Sequence, residues 1–137
     1  MTKKYNWQKE IEELHVFFEG WLSGRLEPTQ ENYRRFSDVV DYKFNLVSPN
    51  GVLQAGSDLL EDLHQAHGSH KDVKIWTKDK KLLFENSEIL VVSYQEWQKE
   101  ATGDKGRIST AVFILDETKI NGLRWLHVHE TWLPVIA

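Results

Sequence analysis

The sequence predicts an α+β fold with helices packed on one face of a curved sheet. Early in the chain, apolar residues recur at helical spacing. From about residue 72 onward, long segments rich in β-branched and aromatic residues follow one another through short turns. The last of these, residues 124–132, leaves an Asn121-Gly122 turn and alternates along its length. Helices first and strands later place the helices against one side of a single sheet.

The first helix is expected over residues 7–22. Trp7, Ile11, Leu14, Phe18 and Trp21 or Leu22 lie three or four residues apart and trace one face. Gly24 is its stop signal. Pro28-Thr29 opens a shorter helix carrying Tyr33 and Phe36. Residues 39–47 read as a strand, and Ser48-Pro49-Asn50-Gly51 as a turn in which proline presets φ and glycine releases the chain. A third helix is expected from Ser57 to about His67, capped by Ser57 or Asp58, with Leu59, Leu60, Leu63 and Ala66 on its apolar face. Strands follow at 73–84, 89–100, 107–115 and 124–132. The charged run 78–81 predicts a bulge in the first of them, and residues 102–106 read as a loop. Short turns between consecutive strands imply an antiparallel meander. No internal repeat or interdomain linker is visible, and residues 1–137 read as one domain.

Composition narrows the function classes. The chain has 137 residues, 40% hydrophobic and 28% charged, as an ordinary globular domain has. It has no cysteine, which removes disulfides, thiolate metal sites and a cysteine nucleophile. The formal net charge is −4 without a long basic patch, so nucleic acid is not an expected partner. No apolar run approaches the roughly 20 residues that span a bilayer. The N-terminus lacks the apolar core of a signal peptide, so a cytoplasmic protein with no membrane partner is expected.

The final strand carries the candidate site. Alternation predicts that Trp125, His127, His129 and Thr131 share a face: two imidazoles and a hydroxyl beside an indole, as in a pocket wall. The other face carries Leu126, Val128 and Trp132. Arg107 opens the preceding strand, where it reads either as a carboxylate-binding residue at the cavity mouth or as a surface arginine paired with an acid. Residues 107–115 are largely apolar on both faces, yet the helices cover only one. A second copy of the sheet is the expected cover for the other, making the protein a homodimer.

The order of helices, strand, Ser48-Pro49-Asn50-Gly51 turn, helix and meander resembles the nuclear transport factor 2-like superfamily, including its SnoaL-like branch. The resemblance covers nearly the whole chain. Its most specific pieces are Gly106-Arg107-Ile108-Ser109-Thr110-Ala111-Val112-Phe113 and Leu123-Arg124-Trp125-Leu126-His127-Val128-His129-Glu130-Thr131. The latter is also similar to the ending of the association domain of calcium/calmodulin-dependent kinases, which has an arginine close to the position of Arg107. The resemblance implies a cone-shaped, cystatin-like α+β barrel with a curved antiparallel or mixed sheet wrapped around the N-terminal helices. It also implies a cavity between helices and sheet, and a dimer through the sheet's outer face with Ile108, Val112 and Val128 outside. Members include isomerases, dehydratases, epoxide hydrolases, polyketide cyclases and proteins with no catalysis, so the fold leaves function open.

Ketosteroid isomerases place an aspartate where this chain has Ser48 and an oxyanion-binding tyrosine near Phe17. Serine is not acidic near neutral pH and phenylalanine donates no hydrogen bond, so that chemistry is not expected. Asp38 and Asp41 lie nearby and read as exposed acids at a strand start, with a base at one of them as the alternative. His64, His67 and His70 recur every three residues, but neither they nor His127 and His129 carry a strong metal signature, and no metal or cofactor is expected. His15 reads as a half-buried structural residue. Two main readings follow: a cavity protein binding an unidentified small molecule, with function otherwise unassigned, or a lyase, isomerase or hydrolase using His127 or His129 as general acid/base. An oligomeric assembly module is a third. The catalytic residues, if any, are not assigned from sequence.

Overall fold

Helix α1 (Trp7–Ser23) buries Trp7, Ile11, Leu14, Phe17 and Trp21 along one stripe. Its start is capped by Asn6, whose side-chain oxygen accepts from the Lys9 amide at 3.1 Å, and its end turns out at Gly24 with φ 81°. Helix α2 (Gln30–Ser37) is capped by Thr29 and buries Tyr33 and Phe36. Helix α3 (Gly56–Gln65) completes the helical layer. The computed structural model describes residues 4–134, and among them six strands form one curved sheet: β1 (Val40–Val47), β2 (Leu53–Ala55), β3 (Ile75–Glu85), β4 (Ile89–Glu100), β5 (Gly103–Leu115) and β6 (Leu123–Trp132). The order is β2-β1-β6-β5-β4-β3. Strands β3 to β6 form the antiparallel meander, whereas β1 lies parallel to β6, so the sheet is mixed. The core fills the space between the helices and the concave face.

Several boundaries differ from the sequence reading. Strand β2 was not foreseen; three residues pair with the end of β1 and are too few to show a period. The expected loop 102–106 is mostly strand. Gly103 pairs with Glu100, so the hairpin turns on Ala101 and Thr102 alone. The third helix starts at Gly56 with Ala55 in the cap position, and neither Ser57 nor Asp58 caps it. The bulge expected near 78–81 is present: Asp79 takes φ 55° and the register with β4 slips between Lys78 and Lys81.

The largest difference lies in β6. Phe113 pairs with Trp125 and Val112 with His127, so Leu126 is an extra residue with no partner on β5. Pairing with β1 skips there too, from Val40–Trp125 to Asn45–His127. This bulge reverses the parity of the strand. Leu123 and Trp125 are buried before it, and Val128 and Glu130 after it. Val128 therefore faces inward, not outward as expected, while Ile108 does stand on the exposed side of β5.

Candidate functional site

A cavity of about 280 Å³ lies between the helices and the concave face. Its walls are mostly apolar. Leu14 and Phe18 come from α1, Phe36 from α2, Phe44 and Leu46 from β1, Leu59 and Leu63 from α3, and Trp125 and Val128 from β6. Ser48, just after β1, is part of the lining. The Trp125 indole is held by a buried carboxylate. Glu10, fully enclosed, accepts from Trp125 Nε1 at 2.8 Å, from Asn121 Nδ2 at 2.9 Å and from Arg35 at 2.8 and 3.3 Å. One acid thus ties α1 to α2, to the β5–β6 turn and to the cavity wall, with a guanidinium to balance its charge.

The polar part of the lining comes from three neighbouring strands and α1. Glu96 on β4 is paired with Arg107 on β5, and Glu130 on β6 follows next to it. Arg107 Nη1 donates to Glu130 Oε1 at 3.2 Å, and its Nε lies 3.5 Å from Glu96 Oε2. The guanidinium carbon sits 4.8 Å from the centre of the Trp132 ring. His15 on α1 closes the group: Nε2 is 2.9 Å from Glu96 Oε1 and Nδ1 is 2.7 Å from the Ile11 carbonyl oxygen. Both partners of His15 are acceptors only, so both ring nitrogens carry hydrogen and the ring is an imidazolium. Burial opposes that charge, but the Glu96 carboxylate and the Ile11 carbonyl outweigh it and raise the His15 pKa. Burial likewise works against ionised Glu96, yet His15, Arg107 and Gln98 hold its carboxyl down to about 2. Glu130 goes the other way: burial, with the nearby Glu96 charge, lifts its pKa despite Arg107. Burial also pushes the Tyr94 phenol well above its usual range. The result is a charge-paired group of two cations and two carboxyls, with no buried side-chain nitrogen or oxygen left without a partner among the described residues.

The residues singled out from sequence are divided by the β6 bulge. Trp125 and Arg107 line the cavity. His127, His129 and Thr131 do not share that face. They follow the bulge and alternate with Val128 and Glu130, which point inward. His127 Nδ1 instead lies 2.6 Å from Asn45 Oδ1, and its ring is 5.8 Å from that of His129. Burial, then the neighbouring His129, lowers its pKa. Arg107 is inside β5 rather than at its opening, and it is paired with acids. Phe17 belongs to the core, stacked on Trp21, while its neighbour Phe18 reaches the cavity. Asp41 is buried and salt-bridged to Arg124 at 2.8 Å, not an exposed acid. His64 and His67 pack against the Trp21 ring.

His15, Glu96 and Glu130 were not identified from sequence as site residues. The signal available for Glu96 and Glu130 was an acid at an inward position of a long strand, and for Glu130 the hidden bulge concealed that parity.

Helices cupped by this mixed sheet around a cavity define a nuclear transport factor 2-like fold, and solved structures share it. An NTF-2 like protein of unknown function from Pseudomonas aeruginosa superposes with a TM-score of 0.83 at 26% identity, covering 93% of this chain and 98% of that one. The association domain of C. elegans CaMKII gives 0.63 at 12% identity, over 90% and 93%, a likeness of fold alone. Within that fold the chain belongs to the sucrose-6-phosphate phosphohydrolase C-terminal family, which it matches over residues 7–134. Sucrose-phosphatase 2 of Nicotiana tabacum is 27% identical over 129 residues, covering 90% of this chain and 30% of that protein. Probable sucrose-phosphatase 2 of Arabidopsis thaliana is 23% identical over 125 residues, covering 90% and 29%. The chain spans about 30% of the length of these curated relatives. This family match corrects the sequence reading of an otherwise unassigned cavity protein, a histidine-dependent lyase, isomerase or hydrolase, or an assembly module.

Proposed function

We propose that the chain serves sucrose-6-phosphate hydrolysis as an accessory domain that recognises a sugar in its cavity. The family supplies the substrate class, and one structural observation supports the role: an aromatic and aliphatic cavity that ends on the His15–Glu96–Arg107–Glu130 group. Sugars present an apolar ring face and several hydroxyls. A pocket with aromatic walls and a few convergent polar groups matches both. The doubly hydrogen-bonded His15 has no lone pair to take a proton, and Glu96 is already engaged by donors on both oxygens. Such a group suits recognition better than attack on phosphorus. In this reading Trp125 and Arg107 are ligand-facing residues, the chain acts as one domain in the cytoplasm, and two copies associate through the exposed sheet face.

The test is a titration with sucrose and with sucrose 6-phosphate, followed by the indole NH resonance of Trp125. One of the two should shift the Trp125 signal, and Leu46→Trp, which fills the cavity, should abolish the effect while keeping a folded spectrum. If neither compound moves a cavity resonance at millimolar concentration, the cavity is not a sugar site.

A further inference from the structure

Resting on the sugar-recognition reading, we infer that the cavity selects neutral, unphosphorylated sugars, the class of product a sugar-phosphate phosphatase releases, and turns away the phosphate ester. Donors, acceptors and charges at the polar end together favour a neutral ligand. A phosphate group brings up to two negative charges and offers mainly acceptors. It therefore needs free N–H groups and uncompensated cations.

The polar end supplies no uncompensated cation. His15 spends both N–H groups on the Ile11 carbonyl and Glu96. Arg107 is divided between Glu96 and Glu130, and its guanidinium lies against the Trp132 ring. Among the described residues, no lysine lines the cavity. A phosphate placed here meets two carboxyls and adds unmatched negative charge to a group whose two cations are already balanced.

Acceptor capacity, in contrast, is left over. Each oxygen of Glu130 receives one hydrogen bond, from Arg107 at 3.2 Å and from Ser109 Oγ at 3.4 Å, although a carboxylate has room for about four in all. A sugar hydroxyl donates into that spare capacity without adding charge. Burial, with the nearby Glu96 charge, raises the Glu130 pKa despite Arg107, so a negative charge is already costly here and a second anion raises that cost further. The site thus combines an attraction for hydroxyl donors with a repulsion against anions, the two ingredients of discrimination.

The experiment is calorimetric titration of the full chain at pH 7.5 and matched ionic strength with sucrose and with sucrose 6-phosphate. Sucrose is expected to bind at least tenfold more tightly. Glu130→Gln, which removes a negative charge and keeps the shape, should narrow that ratio. The parent comparison stands without the variant if Glu130→Gln does not fold. A preference for sucrose below tenfold, or tighter binding of the phosphate ester, overturns the inference while leaving the sugar site intact. Binding of neither compound overturns this inference and the sugar-recognition reading together.

Discussion

His15 is a buried cation held by its neighbours rather than a base in waiting, and pH should reveal it. Its pKa is raised above 6.5, so the stability it contributes is complete below about 6.5 and is lost as pH rises through its folded value. Glu96 is depressed from 4.5 to about 2, so its contribution is complete above 4.5 and is lost as pH falls through about 2. The pair is at full strength between 4.5 and 6.5. His15→Ala should therefore cost about 3–5 kcal/mol at pH 6, the usual penalty for leaving one partner of a buried pair alone. The difference in urea-unfolding free energy between parent and variant should shrink towards high pH. A pH-independent difference would show that His15 is a neutral packing residue. Glu130, with its raised pKa, contributes stability that is complete below about 4.5 and is lost as pH rises through its folded value. The parent–variant difference also contains the coupling between His15 and Glu130, which share one charge network.

At the scale of elements, the β5–β6 turn decides where the cavity wall sits. Gly122 has φ 77°, and a Cβ there would lie 2.3 Å from the Lys4 carbonyl oxygen. The adjacent Asn121 accepts the Asn6 amide through its carbonyl at 3.0 Å and reaches Glu10 with its side chain. The turn, the start of α1 and the acid that holds Trp125 are therefore one assembly. Gly122→Ala combines a left-handed backbone with a backbone clash and should destabilise the fold by at least about 1–3 kcal/mol, read as a lower denaturation midpoint. A loss below about 0.5 kcal/mol would mean that the N-terminal segment moves away freely and does not brace the turn. Beyond the turn, the single extra residue Leu126 lets one strand present Trp125 and then Val128 and Glu130 to the same cavity.

For the whole molecule, the convex side of the sheet carries Ile108 at 41% exposure, with His127 and His129 on the neighbouring strand. No helix is long and apolar enough to cross a membrane among the described residues. Burial of that face between two copies is the assembly proposed above, and sedimentation should show a dimer at micromolar concentrations. Ile108→Glu, which places an unpaired charge in the contact, should shift the sedimentation coefficient to that of a monomer with the far-UV spectrum unchanged. A monomeric parent at high micromolar concentration would remove the proposal.

The fold class, the helical stripe of α1, the meander and the bulge near Asp79 were legible because each rests on local pattern: a period, a cap, a turn or a run of charge. The short β2, the extension of β5 to Gly103 and the parity of β6 were not, because each is set by what the strand pairs with. Alternation is a rule about an unbroken strand, and Leu126 breaks it without a glycine or proline to mark the place. Trp125 and Arg107 were visible as candidates because a large ring and a cation stand out in any strand. The partners that give them meaning, Glu10 for Trp125 and Glu96 with Glu130 for Arg107, lie 115, 11 and 23 residues away along the chain. The sequence by itself determined the layers and the order of the long elements, which follow from periodicity. Only the tertiary structure decided which side chains enter the cavity and which charges neutralise one another, because burial and ion pairing depend on residues that meet through space.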